Sequence, residues 1–290
     1  MGRGKSRQSL TLVERTREIL AEIHPATVRA VCYRLFTAGL IASMAKTHTN
    51  RVSSQLTWAR EQGIIPWRWV VDETREAERA QTWRDPEAFI EAARRSYRRD
   101  RWAYQAVTVE LWSEKGTVRG MLAPVLEDYG VTFRVSHGYA SATMVKEAAD
   151  ESASDDREFI VLYVGDWDPS GLHMSEEDLP ARLEEYGGSV ELTRIALTAH
   201  DITNGGLPSF DVETKTGDTR FRWYVERYGR RCWELDALNP NILRRRVADA
   251  IASYIDMAVW TRCALGEQAE QQSLRQVLGQ WATICGQATK

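Results

Sequence analysis

Apolar positions along the chain follow two periods. Up to about residue 62 they recur every three or four residues, and from about 105 to 198 short apolar runs alternate with such stretches. TLVERTREILAEI, residues 11–23, sets Leu12, Val13, Ile19, Leu20 and Ile23 on one helical face with Thr11 as cap, and His24-Pro25 breaks it. A second helix, Ala26 to Leu40, has Val28, Val31, Cys32, Leu35 and Phe36 as its buried stripe. It places Arg29, Tyr33 and Thr37 four residues apart on a different face. Gly39 precedes a link to a third helix, capped by Thr47 or Thr49 and running to about Gln62. IIPWRWVVDE (64–73) then predicts a short strand or wing, so the first part has a winged-helix pattern.

Downstream, Val107, Val109 and Leu111 alternate with polar residues and predict a strand that ends in Glu114-Lys115-Gly116. A helix from Thr117 to about Tyr129 follows, then a strand with a turn over 131–141 and a helix from Ser141 to Ser152. The run Phe159–Val164 is too short for an isolated helix and β-branched enough for a buried strand. Pro169, Ser170 and Gly171 stop it and open a helix toward Glu185, capped by Asp168 or Ser170, and 189–198 supplies a fourth strand. Such alternation predicts an α/β fold with a mostly parallel sheet flanked by helices. Residues 200–235 lack a clear period and predict loops. A helix after Pro240, with Leu243, Val247, Ile251 and Ile255 inside, precedes a Gln-rich helix from Glu267 at a possible subunit contact. The expected division is 1–100 and 101–290.

Charge changes this picture more than composition does. Apolar content of 43% and charged content of 27% are those of an ordinary globular chain, and no stretch reaches the ~20 apolar residues of a membrane span. The net charge of −3 hides an asymmetry, with 19 Lys and Arg against 12 Asp and Glu through Gln105, and 19 against 29 beyond it. A basic first third beside an acidic remainder suggests one part that touches a polyanion and another that holds cations. RRSYRRDRW (94–102) clusters five arginines near aromatics, which is either a solvated helix face or a phosphate-tracking patch through Arg98 and Arg99. Arg51, Ser54 and Gln55 are the matching candidates on the third helix. The four cysteines show no zinc or disulfide spacing and suggest buried thiols. The basic N-terminus lacks a signal peptide's apolar core, so a cytoplasmic, nucleoid-associated protein is expected.

The candidate chemistry lies at the strand ends. Asp166 and Asp168 follow the third strand and Glu114 the first, where open α/β sheets place their sites. Carboxylates brought that close repel each other and ask for a divalent cation, although a strand ending in an Asp turn would also give D-x-D. His137, His173 and His200 suit surface or turn positions better than ligation.

Together, Glu114-Lys115, the HGYAS turn (137–141) and GDWDPSG (165–171) resemble a Toprim domain, the metal-binding module of topoisomerases and related nucleases. GDWDPSGL in this form resembles the A subunit of topoisomerase VI and the meiotic double-strand-break transesterase. RIALTAHDI (194–202) and WELDAL (233–238) are similar to that family's later segments, and TVRAVCY (27–33) to its tyrosine-bearing helix. The chain also resembles the stand-alone "Mini-A" members of mobile elements. The resemblance implies a winged-helix (CAP-like) domain followed by a Toprim domain. It implies Mg²⁺, with Mn²⁺ as an alternative, on Glu114, Asp166 and Asp168, and a homodimer acting on double-stranded DNA with any ATPase or loader as a separate subunit. Tyr33 would attack a phosphodiester and remain joined to the 5′ end, with Arg29 stabilising the phenolate and the phosphate and Lys115 adding positive charge. Competing expectations are a hydrolytic Toprim nuclease that does not use Tyr33, a non-catalytic DNA-binding protein, and a D-x-D phosphatase.

Overall fold

The computed structural model describes residues 5–71, 81–136, 140–212 and 219–288. Contacts divide the chain into two compact units, Met1–Thr74 with Val109–Ser253, and Arg75–Thr108 with Tyr254–Lys290. Among the described residues no helix is long and apolar enough to cross a membrane.

The first unit opens with helix α1, Arg7–Ile23, which starts earlier than the expected Thr11 because the Ser6 side chain accepts the N–H of Ser9 and caps it. Strand β1, Ala26–Thr27, leads into helix α2, Val28–Thr37, capped by Thr27 through the N–H of Ala30. Helix α3, Lys46–Glu61, begins after Ala45 without a side-chain cap, so neither Thr47 nor Thr49 has the expected role. Thr49 instead turns its hydroxyl back onto the carbonyls of Ala45 and Lys46. Of the segment 64–73, Val70–Val71 forms strand β2, paired in parallel with β1.

A four-stranded parallel sheet is the core of this unit. Its strands are β3 (Val107–Ser113), β4 (Thr132–Val135), β5 (Glu158–Val164) and β6 (Val190–Ala196), in the order β4-β3-β5-β6. Helix α4, Thr117–Tyr129, ends at Gly130, whose φ of 63° is the left-handed conformation that glycine adopts without strain. Helix α5, Ala142–Ser154, is capped by Ser141. After β5 come α6 (Pro169–His173), a π-helical turn (Met174–Asp178) and α7 (Leu179–Glu185). Phe159, Val161 and Tyr163 point to one face, into a cluster with Trp112, Val145, Ala148, Leu179 and Leu183. Ile160, Leu162 and Val164 are equally buried and alternate to the other face. Burial on both faces explains the unbroken apolar run of β5. It also corrects the one-sided alternation expected for β3, where Glu110 is buried and held by Arg134 and by the indole N–H of Trp112.

The stretch 200–235, expected to be loops, contains α8 (Ala199–Asn204) and α9 (Thr219–Tyr228), with β7 (Phe210–Asp211) paired to β8 (Arg231–Cys232). Aromatic packing forms α9 where propensity alone predicts little. Tyr224 is fully buried and donates to the carbonyls of Trp167 and Arg231, and Tyr228 packs edge-on against Trp167. Helix α10 (Pro240–Ala252) closes the unit with Leu243, Val247 and Ile251 buried.

In the second unit lie the helix Pro86–Ser96 and the helix Met257–Ala288, the latter longer than the expected one beginning at Glu267. Cys32 and Cys263 are buried free thiols, and Cys232 is partly buried.

Candidate active site

The parallel sheet reverses its winding between β3 and β5. The connection after β3 leads outward to β4 on one side, while the one after β5 leads to β6 on the other. Open α/β sheets leave a crevice at such a point, outside the carboxyl ends of the two strands. Glu114 follows β3 there and Asp166 follows β5.

Asp166 is 7% exposed. One carboxylate oxygen accepts the N–H of Leu235 at 2.7 Å and the other meets Lys115 Nζ at 2.8 Å. Burial pushes its carboxyl up to about 6, against the lowering influence of Lys115 and the Leu235 N–H. Glu114 accepts the backbone N–H of Asp166, and its carboxyl is pushed up to about 7 by burial first and then by the charges of Asp166 and Asp168. Asp168 caps α6, accepting the N–H of Gly171 at 2.7 Å, which assigns to it the role left open between Asp168 and Ser170. The three acids from distant parts of the sequence therefore share one electrostatic neighbourhood.

Lys115 sits between two buried carboxylates, 2.8 Å from Asp166 and 3.3 Å from Asp236. Burial alone would lower the pKa of its ammonium, but the two aspartates overcome that and keep it charged. Asp236 also accepts the Thr27 hydroxyl at 2.7 Å, and Glu234 takes the Arg29 guanidinium in a bidentate pair. The segment 233–238 thus ties the start of α2 to the ends of β3 and β5. Thr27, Arg29, Lys115, Asp166, Glu234 and Asp236 line one open cleft of about 460 Å³. Asp236 and Glu234 were not among the expected site residues. Their signal was a second pair of acids two residues apart, in WELDAL.

Tyr33 departs from its expected place. The helical register set it apart from the buried stripe, yet it is 0% exposed, edge-on to Phe210 with ring centroids 6.0 Å apart. The reason is that α2 packs on two sides, since the segment around Leu235–Ala237 covers the face that a two-layer reading leaves open. Its hydroxyl has no hydrogen-bond partner among the described residues. Burial and then the charge of Glu234 raise its pKa, and the nearby Arg29 opposes them only in part. Arg29 lies with its guanidinium carbon 5.9 Å from the Tyr33 ring centroid.

The expected nucleic-acid contacts fall in separate places. Arg51 and Ser54 are exposed on α3, Arg51 donating to Gln8, while Gln55 is partly buried and accepts from Lys5. In the second unit Arg99 pairs with Glu270, and Arg98 donates to the carbonyls of Arg95 and Tyr97. Within the same cluster Arg94 and Arg95 pair with Glu91, and Arg101 with Glu267, so most of that charge is compensated internally. His137 and most of the HGYAS turn lie outside the described residues, as do Asp72 and Glu73.

No family model matches the chain, and no curated protein is detectably similar to it.

Among the described residues, no three His, Cys, Asp or Glu side chains converge into a ready-made metal cage. Mg²⁺ seldom uses one, since it keeps several waters and takes one or two carboxylates together with substrate phosphate oxygens. Glu114, Asp166 and Asp168 are hard oxygen donors, and the Glu114 carboxyl, raised first by burial and then by the other two charges, fits such an ion in chemistry and charge.

Proposed function

We propose that this chain is a Mg²⁺-dependent DNA-cleaving enzyme with the winged-helix and Toprim parts of the topoisomerase VI A family and double-stranded DNA as substrate. The observation that carries the reading is the electrostatic coupling of Glu114 to Asp166 and Asp168 at the winding reversal of the sheet, beside a cleft lined by Asp166, Arg29 and Lys115. Glu114, Asp166 and Asp168 would hold the ion, which supplies polarisation of the phosphate and stabilisation of the departing oxygen. Lys115 keeps Asp166 and Asp236 in place and offsets part of their charge. Arg29 offers a planar fork that matches two phosphate oxygens once Glu234 yields it.

Hydrolysis by water is the mechanism this geometry favours, because the Tyr33 hydroxyl is enclosed and its phenolate disfavoured. A second reading is tyrosine transesterification, favoured by Arg29 one turn before Tyr33 and by a hydroxyl with no partner of its own. It requires α2 to turn Tyr33 outward, toward the acids of a second copy in a homodimer, with any ATPase or loader supplied separately.

The test is supercoiled plasmid with Mg²⁺ or Mn²⁺, comparing wild type, Tyr33→Phe and Glu114→Ala, each with and without protease treatment. Hydrolysis predicts that Tyr33→Phe cuts and Glu114→Ala does not. Transesterification predicts that neither cuts and that wild-type products carry covalently bound protein. No nicking by wild type at any ion concentration would leave a DNA-binding protein whose acids do no chemistry.

A further inference from the structure

The geometry points to Arg194, on β6, as the positioning residue that fixes the turn bearing Asp166 and Asp168, an inference that rests on the metal-dependent reading above. Its guanidinium is inserted behind that turn. Nη1 donates to the carbonyls of Gly165 at 3.0 Å and Asp166 at 3.2 Å, and more weakly to Leu197 at 3.4 Å. Nη2 donates to the carbonyl of Gly171 at 2.6 Å and to Ser175 Oγ at 2.9 Å, which also accepts from Nε at 3.1 Å. The ring of Tyr163 covers the group, its centroid 4.9 Å from the guanidinium carbon.

Three features distinguish this from an ordinary buried ion pair. First, among the described residues none of these hydrogen bonds goes to a carboxylate, so the charge is spent on peptide carbonyls. Second, those carbonyls bracket the acids, with Gly165 just before Asp166 and Gly171 three residues after Asp168. Third, the two ends of the turn already touch, because a Cβ on Gly171 would lie 2.5 Å from the Asp166 carbonyl oxygen. A planar fork that holds both ends at once sets the spacing of Asp166 and Asp168, and it draws carbonyl dipoles away from the crevice. A lysine offers one point charge on a flexible stem and cannot span the same carbonyls. Ser175 joins the system to the π-helical turn, since its hydroxyl accepts from Arg194 and lies 3.0 Å from the Gly171 carbonyl that it donates to.

The experiment compares wild type with Arg194→Lys, Arg194→Met, Ser175→Ala and, as a control, Arg246→Lys. Arg246 is another partly buried arginine, paired with Asp201 and bonded to the Ile195 carbonyl, with no hydrogen bond among the described residues to 165–171. Tb³⁺ is the probe, because Trp167 lies between the two acids and sensitises luminescence from an ion bound beside it. Mg²⁺ dependence of plasmid cleavage and urea melts accompany it. Losing such support behind metal ligands typically weakens affinity ~10–100-fold, so Arg194→Lys should need at least tenfold more Tb³⁺ and Mg²⁺ for half-saturation. Ser175→Ala should shift both by a smaller factor of about three in the same direction, and Arg246→Lys should lower stability without moving either midpoint. A folded Arg194→Lys with wild-type midpoints overturns the inference and leaves the function standing. Should both Arg194 variants fail to fold, Ser175→Ala decides, and unchanged midpoints in it overturn the inference. Wild type that neither binds Tb³⁺ nor cuts DNA removes the metal-dependent reading, and the role of Arg194 with it.

Discussion

Replacing Glu114 by Gln should make the metal-free protein more stable at alkaline pH while ending its chemistry. The carboxyl is raised from an ordinary 4.5 to about 7 by burial and then by Asp166 and Asp168. A group with a raised folded pKa gives its full stabilisation below the unfolded value and loses it as pH climbs through the folded one. Glu114 therefore withdraws stability between pH 4.5 and about 7. At about 1.4 kcal/mol per pH unit, and discounted for partial exposure, the loss is about 2–3 kcal/mol. Gln keeps an acceptor for the Asp166 N–H but has no charge to bury. Urea melts in EDTA should superimpose near pH 4.5 and separate by about 2–3 kcal/mol at pH 8, or about 4–10 °C in Tm. Asp166, raised to about 6, adds a decline of the same sign over a lower window, and the variant keeps that decline. Millimolar Mg²⁺ should raise the wild-type Tm and leave that of Glu114→Gln unchanged. Equal or lower stability of the variant at pH 8 would refute the reasoning, because Glu114 would then be neither desolvated nor crowded by its neighbours.

Three further substitutions test the surroundings of the site. Glu234→Gln releases Arg29 for a phosphate, so duplex binding in EDTA should tighten by about tenfold, with a steeper salt dependence; an unchanged slope in filter binding would show that Glu234 is no competitor. Gly171→Ala drives a Cβ to 2.5 Å from the Asp166 carbonyl, so it should cost about 1–3 kcal/mol in urea melts and at least ~10-fold in plasmid cleavage; wild-type cutting would mean that the turn yields freely. Tyr33→Phe removes a buried hydroxyl that has no partner, so stability should stay level or rise by about 1 kcal/mol; a clear loss would reveal a bond to that oxygen.

Legibility in the sequence depended on whether a residue's environment was local. The run Phe159–Val164 announced its strand, and the alternation from 105 to 198 announced the parallel sheet, because each strand is buried by its own neighbours in the chain. Glu114, Asp166 and Asp168 could be placed together because strand ends follow from topology. Tyr33 was misplaced on its helix because what covers it, Phe210 and the turn 235–237, comes some 180–200 residues later, and no periodicity within α2 encodes it. Asp236 and Glu234 were overlooked for the same reason, since their partners Lys115, Thr27 and Arg29 lie far upstream. Arg194 falls within the stretch 189–198 that predicts the fourth strand, and only the fold shows its side chain turned onto the carbonyls of the turn after β5.

The balance of charge at the crevice constrains the order of events. Glu114, Asp166, Asp168, Glu234 and Asp236 gather there against three cations among the described residues, the paired Lys115 and Arg29 and, behind the turn, Arg194. A DNA phosphate brought to this surface unaided meets an excess of like charge; the Glu114 carboxyl, raised first by burial, is raised further by the charges of Asp166 and Asp168. Apolar residues of similar volume would pack there at less cost. Retaining the acids makes physical sense if a cation arrives with or before the phosphate, so that each makes the other's binding more favourable. Under the proposed function, the same excess would then disfavour DNA at the crevice when the cation is absent.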